Sequence, residues 1–212
     1  MKKLYSLFLV SLLLFSSQVN AQEEYKYPCG VYYVSMEPRP GRLTTWSDCY
    51  SAGDFTLSAW IQLREEEWGG KAMHIFQRER FKFPNVDGFN FYLATDGILK
   101  FSTYIMKDGK GVLDSISSGV RPEPFKWHHI ALSFEAVGKC KMYINGIQVA
   151  AGSFDGPRVV DATASSGNKS VSIGGIMVGS GAVSPNYKGY IDEVAFCWKA
   201  LSKAEIDTLA KG

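Results

Sequence analysis

An all-β fold, antiparallel strands with one buried face and a short C-terminal helix, is predicted by three features of this 212-residue chain. Apolar residues alternate with polar or small ones through several short runs, the period of strands with one buried face. Asn145-Gly146 and Asp96-Gly97 each sit between two such runs and tolerate the positive φ angles of hairpin turns. The one clear helix signal is Ser202-Lys203-Ala204-Glu205, a capping box close to the C-terminus.

In chain order, Lys2 and Lys3 followed by apolar Leu4–Phe15 and by Val19-Asn20-Ala21 read as a signal peptide over residues 1–21. The apolar run is too short to span a bilayer comfortably. No cysteine follows it directly, which argues against a lipid anchor on Cys29. Residues 22–212, without an internal repeat, then form a single domain exported from what reads as a bacterial cell, secreted, periplasmic or on the cell surface, with no membrane insertion after cleavage. Removing Lys2 and Lys3 from the 23 basic residues leaves as many as the 21 acidic ones. A chain so balanced offers no electrostatic case for nucleic acid or an anionic membrane.

Residues 31–36 read as an opening strand that ends at Pro38, and 38–53 as a Pro-rich loop. Asp54–Leu63 is the next strand, with Phe55, Leu57, Ala59 and Ile61 on one face and Thr56, Ser58 and Trp60 on the other. Glu65-Glu66-Glu67-Trp68-Gly69-Gly70 is an acidic loop tip. Ala72–Arg80 returns as a strand, 81–87 is a loop broken by Pro84, and Gly88–Thr95 with Ile98–Ile105 form a hairpin around Asp96-Gly97. Val112–Ser118 reads as a weaker strand.

Trp127 to Ala151 is the organising meander. Ile130, Leu132 and Phe134 share a face, as do Cys140, Met142 and Ile144, and Asn145-Gly146 turns into Ile147–Val149. Residues 152–169 and 179–186 lack periodicity and read as surface loops, the first ending at an Asn168-Lys169-Ser170 acceptor that matters only in a eukaryotic secretory pathway. Ser170–Gly174 is a short strand and Lys188–Trp198 the closing one, before a terminal helix running to about Ala210.

Trp127-His128-His129-Ile130-Ala131 and Met142-Tyr143-Ile144-Asn145-Gly146 resemble the laminin-G-like jelly rolls of the concanavalin A-like lectin/glucanase superfamily. Phe55-Thr56-Leu57-Ser58-Ala59-Trp60-Ile61 upstream and Gly189-Tyr190-Ile191-Asp192-Glu193-Val194 downstream fit the same pattern in order. The resemblance implies the fold, two antiparallel sheets packed as a jelly roll, and leaves lectin, hydrolase and adhesive functions open. It also implies two roles for Asp192, the aspartate of the final strand: ligand of a structural calcium ion, or hydrogen-bond partner of a neighbouring loop backbone. Asp155 and Asp161 are further acidic positions without positional support.

Four cysteines in an exported chain read as disulfides. The favoured pairing is Cys29–Cys49 with Cys140–Cys197, and the main alternative joins Cys29 to Cys197, since terminal strands often neighbour each other in jelly rolls.

Catalysis is disfavoured by the residues. The superfamily's glucanases use an acidic-x-acidic run, and a retaining glycosidase needs carboxyls about 5–5.5 Å apart. Here Glu65–Glu67 lies in a polar loop, and Asp192 and Glu193, being adjacent in a strand, are expected to point to opposite faces. No nucleophile elbow is present, and His74, His128 and His129 lack zinc-ligand spacing.

The preferred function is therefore non-catalytic binding of a glycan or polysaccharide, with protein interaction at a cell surface, and then a divergent glycoside hydrolase, as alternatives. Trp60, Tyr92, His129 and Tyr143 are expected on outer sheet faces, where flat rings stack on sugars and Asn90 and Asn145 bond hydroxyls. Trp68 is the candidate exposed ring on a loop. If their strands share a sheet, Trp60, His129 and Tyr143 form one aromatic strip.

Overall fold

The computed structural model describes residues 53–64, 70–82, 85–159, 171–178, 182–185 and 187–211. The signal segment 1–21, the strand over 31–36, Cys29, Cys49, the Glu65–Trp68 tip, Asp161 and the Asn168 acceptor lie outside them. Among the described residues, twelve strands and one helix follow in order: β1 Phe55–Leu63, β2 Met73–Lys82, β3 Asn85–Leu93, β4 Leu99–Lys107, β5 Lys110–Ser117, β6 Trp127–Phe134, β7 Lys139–Ile144, β8 Ile147–Ser153, β9 Ser172–Ile173, β10 Gly175–Val178, β11 Ala182–Pro185, β12 Gly189–Cys197 and α1 Lys203–Leu209.

They build a five-stranded sheet I in the order β12-β1-β6-β7-β8, a five-stranded sheet II in the order β5-β4-β3-β2-β9, and a separate β10–β11 hairpin. All pairings are antiparallel. The alternation read from sequence is the one that packs the sandwich. Leu57, Ala59 and Ile61 of β1, Phe89 and Phe91 of β3, and Leu132 of β6 all turn inward, each at most 2% exposed. Phe55 is the centre of an aromatic stack, its ring centroid 4.9 Å from Phe134, 5.5 Å from Phe89 and 5.9 Å from Phe196. Each such buried side chain contributes about 1.5–3 kcal/mol of transfer free energy.

Three segments differ from their sequence reading. Residues 81–87 are not a loop: β2 continues to Lys82 and β3 begins at Asn85, pairing Lys82 with Asn85. Pro84 lies outside the described residues. The loop expected over 179–186 contains β11, whose residues Ala182 to Pro185 pair with β10. The weaker strand near 112–118 is an eight-residue edge strand, β5, turned by Asp108 and Gly109 at φ 51° and 74°.

The expected Cys140–Cys197 bridge does not form, and Cys140 is a free, buried thiol. The register explains why. Cys197 lies in the row Cys197–Thr56–Ser133–Lys141 across sheet I. Cys140, one residue from Lys141, points to the opposite face, into the core. Three strand spacings, about 14 Å, separate Cys197 on β12 from Cys140 on β7, against the roughly 7 Å limit for bridged Cα atoms. Burial pushes the Cys140 thiol up to about 12.

Helix α1 caps half of the outer face of sheet I. The Ser202 hydroxyl accepts from the Glu205 amide and the Glu205 carboxylate accepts from the Ser202 amide at 2.8 Å, so the capping box forms as read. Leu201, Ile206 and Leu209 pack on Ala131, Tyr143 and Cys197 as a second small core. The Asn145-Gly146 turn lies beneath it, with φ 51° and 75°. The φ of Gly146 favours glycine, and a Cβ there would also come within 2.6 Å of the Asp207 carboxylate and displace it.

Candidate functional site

Sheet I has two halves on its outer face. Towards the C-terminal end of β12, the Thr56 hydroxyl donates to the Lys199 carbonyl at 2.8 Å and the Ser133 hydroxyl to the Leu201 carbonyl at 3.0 Å, which ties down the segment leading into α1. The other half carries two further rows. One is Tyr190–Gln62–Trp127, contributed by β12, β1 and β6; the next is Asp192–Trp60–His129.

The first row is an aromatic platform. Trp127 is 43% exposed. It leans across Gln62 to bring its ring centroid to 6.2 Å from that of Tyr190. The Arg64 guanidinium lies 5.9 Å from the Tyr190 ring centre, a cation–π contact on the platform's rim. Gly189 opens β12 at φ 149°, and a Cβ there would fall 2.0 Å from the Gln62 carbonyl oxygen. Only glycine lets β12 approach β1 closely enough to place Tyr190 beside Gln62.

Phe125 joins the same end in a strained backbone. Its φ is 62°, a left-handed conformation that costs a bulky residue about 1–3 kcal/mol. It is held there because its amide donates to the Leu63 carbonyl at 2.8 Å and its carbonyl accepts from the Gln62 side chain at 3.3 Å. The product is a ring left 54% exposed at the edge of the platform.

The second row departs from simple alternation. Ser58 pairs with Ala195 but Trp60 with Asp192, so β12 has one extra residue here, a β-bulge. Glu193 takes the left-handed conformation at φ 45°, and its amide donates to Asp192 Oδ1 at 2.8 Å. The expectation that Asp192 and Glu193 face opposite sides fails for this reason. Asp192 stands beside Trp60 in the row, and the Glu193 carboxyl lies near enough to the Trp60 side chain for that side chain to lower its pKa. Burial raises the Glu193 pKa, the neighbouring Asp192 charge raises it further, and the Trp60 side chain partly offsets both.

His129 completes this row from below. It is 1% exposed, its ring meets Trp60 edge-on at 5.5 Å and 63°, and its Nε2 lies 2.7 Å from the Ser58 hydroxyl. Burial lowers its pKa to about 4, so the ring is neutral at physiological pH. Ser58 is 2% exposed, and His129 Nδ1 has no hydrogen-bond partner. The pair thus lacks both substrate access and the third group that orients a catalytic base. The His129 amide donates to Asn145 Oδ1 at 2.9 Å, and Asn145 Nδ2 donates to His128 Nδ1 at 3.1 Å, which binds Asn145 into the hairpin rather than presenting its amide to a ligand.

Trp60, His129 and Tyr143 do share the outer face of sheet I, but they make no open strip. Tyr143 is 2% exposed, covered by α1, and His129 lies under Trp60; the partly exposed Trp60 alone reaches the surface. Tyr92 is on the other outer face, that of sheet II, stacked on His74 at 5.5 Å and 19°, with Lys100 opposite it on β4. Asn90 is in that sheet's next row and buried. Trp68 lies outside the described residues. The sequence reading missed Trp127, Tyr190, Phe125, Gln62 and Arg64. The signal for three of them was present: Trp127 is two residues from His129, Tyr190 two from Asp192 and Gln62 two from Trp60, hence on the same face.

Calcium takes six to eight oxygens. Among the described residues no group of three His, Cys, Asp or Glu side chains converges, and Asp192 Oδ1 is engaged by the Glu193 amide. The residues in place around Asp192 do not fit the ion. Asp155 is salt-bridged to Lys107 at 3.2 Å on the surface.

A family model described as the concanavalin A-like lectin/glucanases superfamily, of laminin-G type, matches residues 41–207. No curated protein matches the sequence. Among solved structures, the CBM40 of the Ruminococcus gnavus IT-sialidase bound to alpha2,6 sialyllactose is 17% identical with a TM-score of 0.62, covering 83% of this chain and 96% of that one. The heptameric SAP-like pentraxin of Limulus polyphemus is 14% identical with a TM-score of 0.54, covering 85% and 80%. The binding domain of Botulinum neurotoxin serotype D is 15% identical with a TM-score of 0.54, covering 77% and 37%.

Proposed function

The chain belongs to the concanavalin A-like lectin/glucanases superfamily, and from that premise we propose that it is an exported carbohydrate-binding module whose glycan lies on the Trp127–Tyr190 platform of sheet I. The observation that carries this reading is the partly exposed row Tyr190–Gln62–Trp127, extended by Phe125 in a strained backbone. Flat rings offer a pyranose an apolar stacking surface, while Gln62 and the free oxygen of Asp192 can exchange hydrogen bonds with its hydroxyls. The CBM40 likeness, to a domain bound to sialyllactose, adds support for a glycan and suggests sialosides as the first probes. The basic and apolar N-terminus supports export; among the described residues no helix is long and apolar enough to cross a membrane.

A glycan array that includes sialyllactoses, probed with the native chain and with Trp127→Ala, tests the proposal. Stacking on an aromatic is worth about 1–3 kcal/mol per ring, so Trp127→Ala is expected to weaken the best-bound glycan by roughly ten- to a hundredfold. Equal binding by both proteins refutes the site.

One observation favours a hydrolase as a second reading: the bulge that brings Asp192 and Glu193 to the same face beside an aromatic platform. Reducing-sugar release that disappears in Glu193→Gln supports that reading; absence of release on the array's bound glycans removes it.

A further inference from the structure

Hydrogen bonds on both sides of the His128 ring fix where its proton sits. The His129 amide is a backbone donor, so the side-chain atom of Asn145 that meets it at 2.9 Å must be the oxygen. The Asn145 amide nitrogen is then the atom 3.1 Å from His128 Nδ1, and Nδ1 accepts. On the far side of the ring, Nε2 lies 3.1 Å from the Glu123 carbonyl, which can only accept, so Nε2 carries the proton. The two sides demand the same tautomer. Asn145 is itself held by its own amide, which donates to the His129 carbonyl at 2.7 Å. A continuous chain of bonds therefore runs from the β6–β7 hairpin turn, through one buried ring, to the backbone of Glu123.

We propose that His128 is the positioning residue of the platform's rim: by holding the Glu123 carbonyl it keeps Phe125 in its left-handed conformation beside Trp127 before any sugar arrives. This rests on the platform reading above. The Nε2 bond closes a loop from Glu123 to His128, and both Phe125 and Trp127 lie within it. Pro122 and Pro124 fix their own φ, and Glu123, preceding Pro124, is biased to extended backbone, so the segment moves as a stiff piece. Prolines also lack an amide to tie it down. Its attachments are the Phe125 amide on the Leu63 carbonyl, the Gln62 side chain on the Phe125 carbonyl, and His128 on the Glu123 carbonyl. The Glu123 carboxylate turns to Lys126 at 2.5 Å, so His128 grips backbone and not side chain. A residue at φ 62° persists only where its surroundings over-determine it. Gln62 and Leu63 hold one side of Phe125 and His128 the other. Neighbouring residues of β6 divide the work: Trp127, opposite Gln62, meets the ligand, and His128, opposite the core residue Ile61, sets the rim from beneath.

The test separates the two ring nitrogens. Glutamine can place its amide nitrogen where Nε2 lies and still donate to Glu123; asparagine, one carbon shorter, reaches only the Nδ1 position. In full-length protein labelled with 15N-histidine, three rings are expected, and loss of one in His128→Gln identifies that of His128. Recorded at alkaline pH, where imidazole is neutral, its proton should sit on Nε2. A proton on Nδ1, or exchange between the two nitrogens, overturns the proposal without recourse to a ligand. The Phe125 ring signals, assigned with Phe125→Leu, should stay in place in His128→Gln and move in His128→Asn. Signals unmoved in His128→Asn, or moved alike in both, overturn it. With α2,6-sialyllactose as probe, His128→Asn and Phe125→Ala should each weaken binding about tenfold, the share of one stacked ring. The double variant should be no weaker, and His128→Gln should bind as the native chain does. Fully additive losses overturn the positioning role. Binding indifferent to Trp127→Ala overturns the platform reading, whatever the His128 proton and the Phe125 signals show.

Discussion

Lowering the pH from 7.5 to 4.5 is expected to remove roughly 2–3 kcal/mol of folding stability through His129 alone. Burial holds this ring at a pKa of about 4, against an ordinary 6.5. No acid compensates, since Nδ1 has no partner and Nε2 meets only the Ser58 hydroxyl. The folded chain thus refuses a proton that the unfolded chain accepts once the pH falls below 6.5. The contribution is complete above that value, declines between 6.5 and 4 by up to about 1.4 kcal/mol per pH unit, and levels off below 4, where both states are protonated. Glu193 works in the opposite sense, because its raised pKa favours the folded state at lower pH.

The His129 share is isolated by comparison with His129→Gln, whose amide can still meet Ser58 but does not titrate. Urea unfolding followed by near-ultraviolet circular dichroism at pH 7.5 and 4.5 gives the difference between the two proteins. With a slope of about 2 kcal/mol per molar urea, the native midpoint should fall by roughly 1 M more than that of the variant. An equal fall in both, or a His129 titration near 6.5 in the folded protein, refutes the reasoning.

Four shorter expectations accompany it. Cys140 should resist thiol reagents in the native chain and react after denaturation, and peptide mapping should link Cys197 to Cys29 or Cys49; a Cys140–Cys197 peptide contradicts the register. Ile206→Ala should cost about 2–5 kcal/mol and Ser202→Ala about 1 kcal/mol, both read as lowered melting temperature, because α1 seals the Tyr143 cluster. Phe125→Gly should raise stability by about 1 kcal/mol by releasing the left-handed strain while weakening glycan binding; a loss of stability refutes the strain argument. Removing calcium with a chelator should leave the melting temperature unchanged, and a fall reversed by added calcium contradicts the misfit of Asp192 to the ion.

Much of the fold was legible because period-two alternation is a local property. The inward and outward sets of β1, β3, β6 and β7 follow from it residue by residue, as do the Asn145-Gly146 turn and the capping box. What the sequence could not show were facts of register and coverage. Which half of an outer face is roofed depends on where α1 lands, and that decided against Tyr143 and in favour of Trp127. The Cys140–Cys197 pairing failed because it depends on strand order across the sheet, which spacing along the chain does not encode. The Asp192–Glu193 expectation failed at a bulge, where one inserted residue overrides alternation without any glycine to announce it. Trp127 and Tyr190 were readable from the faces of His129 and Asp192, two residues away on the same strands.

The central claim is that glycan binds the open half of sheet I, and ligand mapping on the labelled chain tests it most directly. Titrating the array's best-bound glycan into 15N-labelled protein should shift the indole signals of Trp127 and Trp60 and the Gln62 side-chain amide. The indole of Trp198, 52% exposed beside α1, should not move. Shifts confined to Tyr92, His74 and Lys100 on the outer face of sheet II, with Trp127 and Trp60 unmoved, would contradict the account.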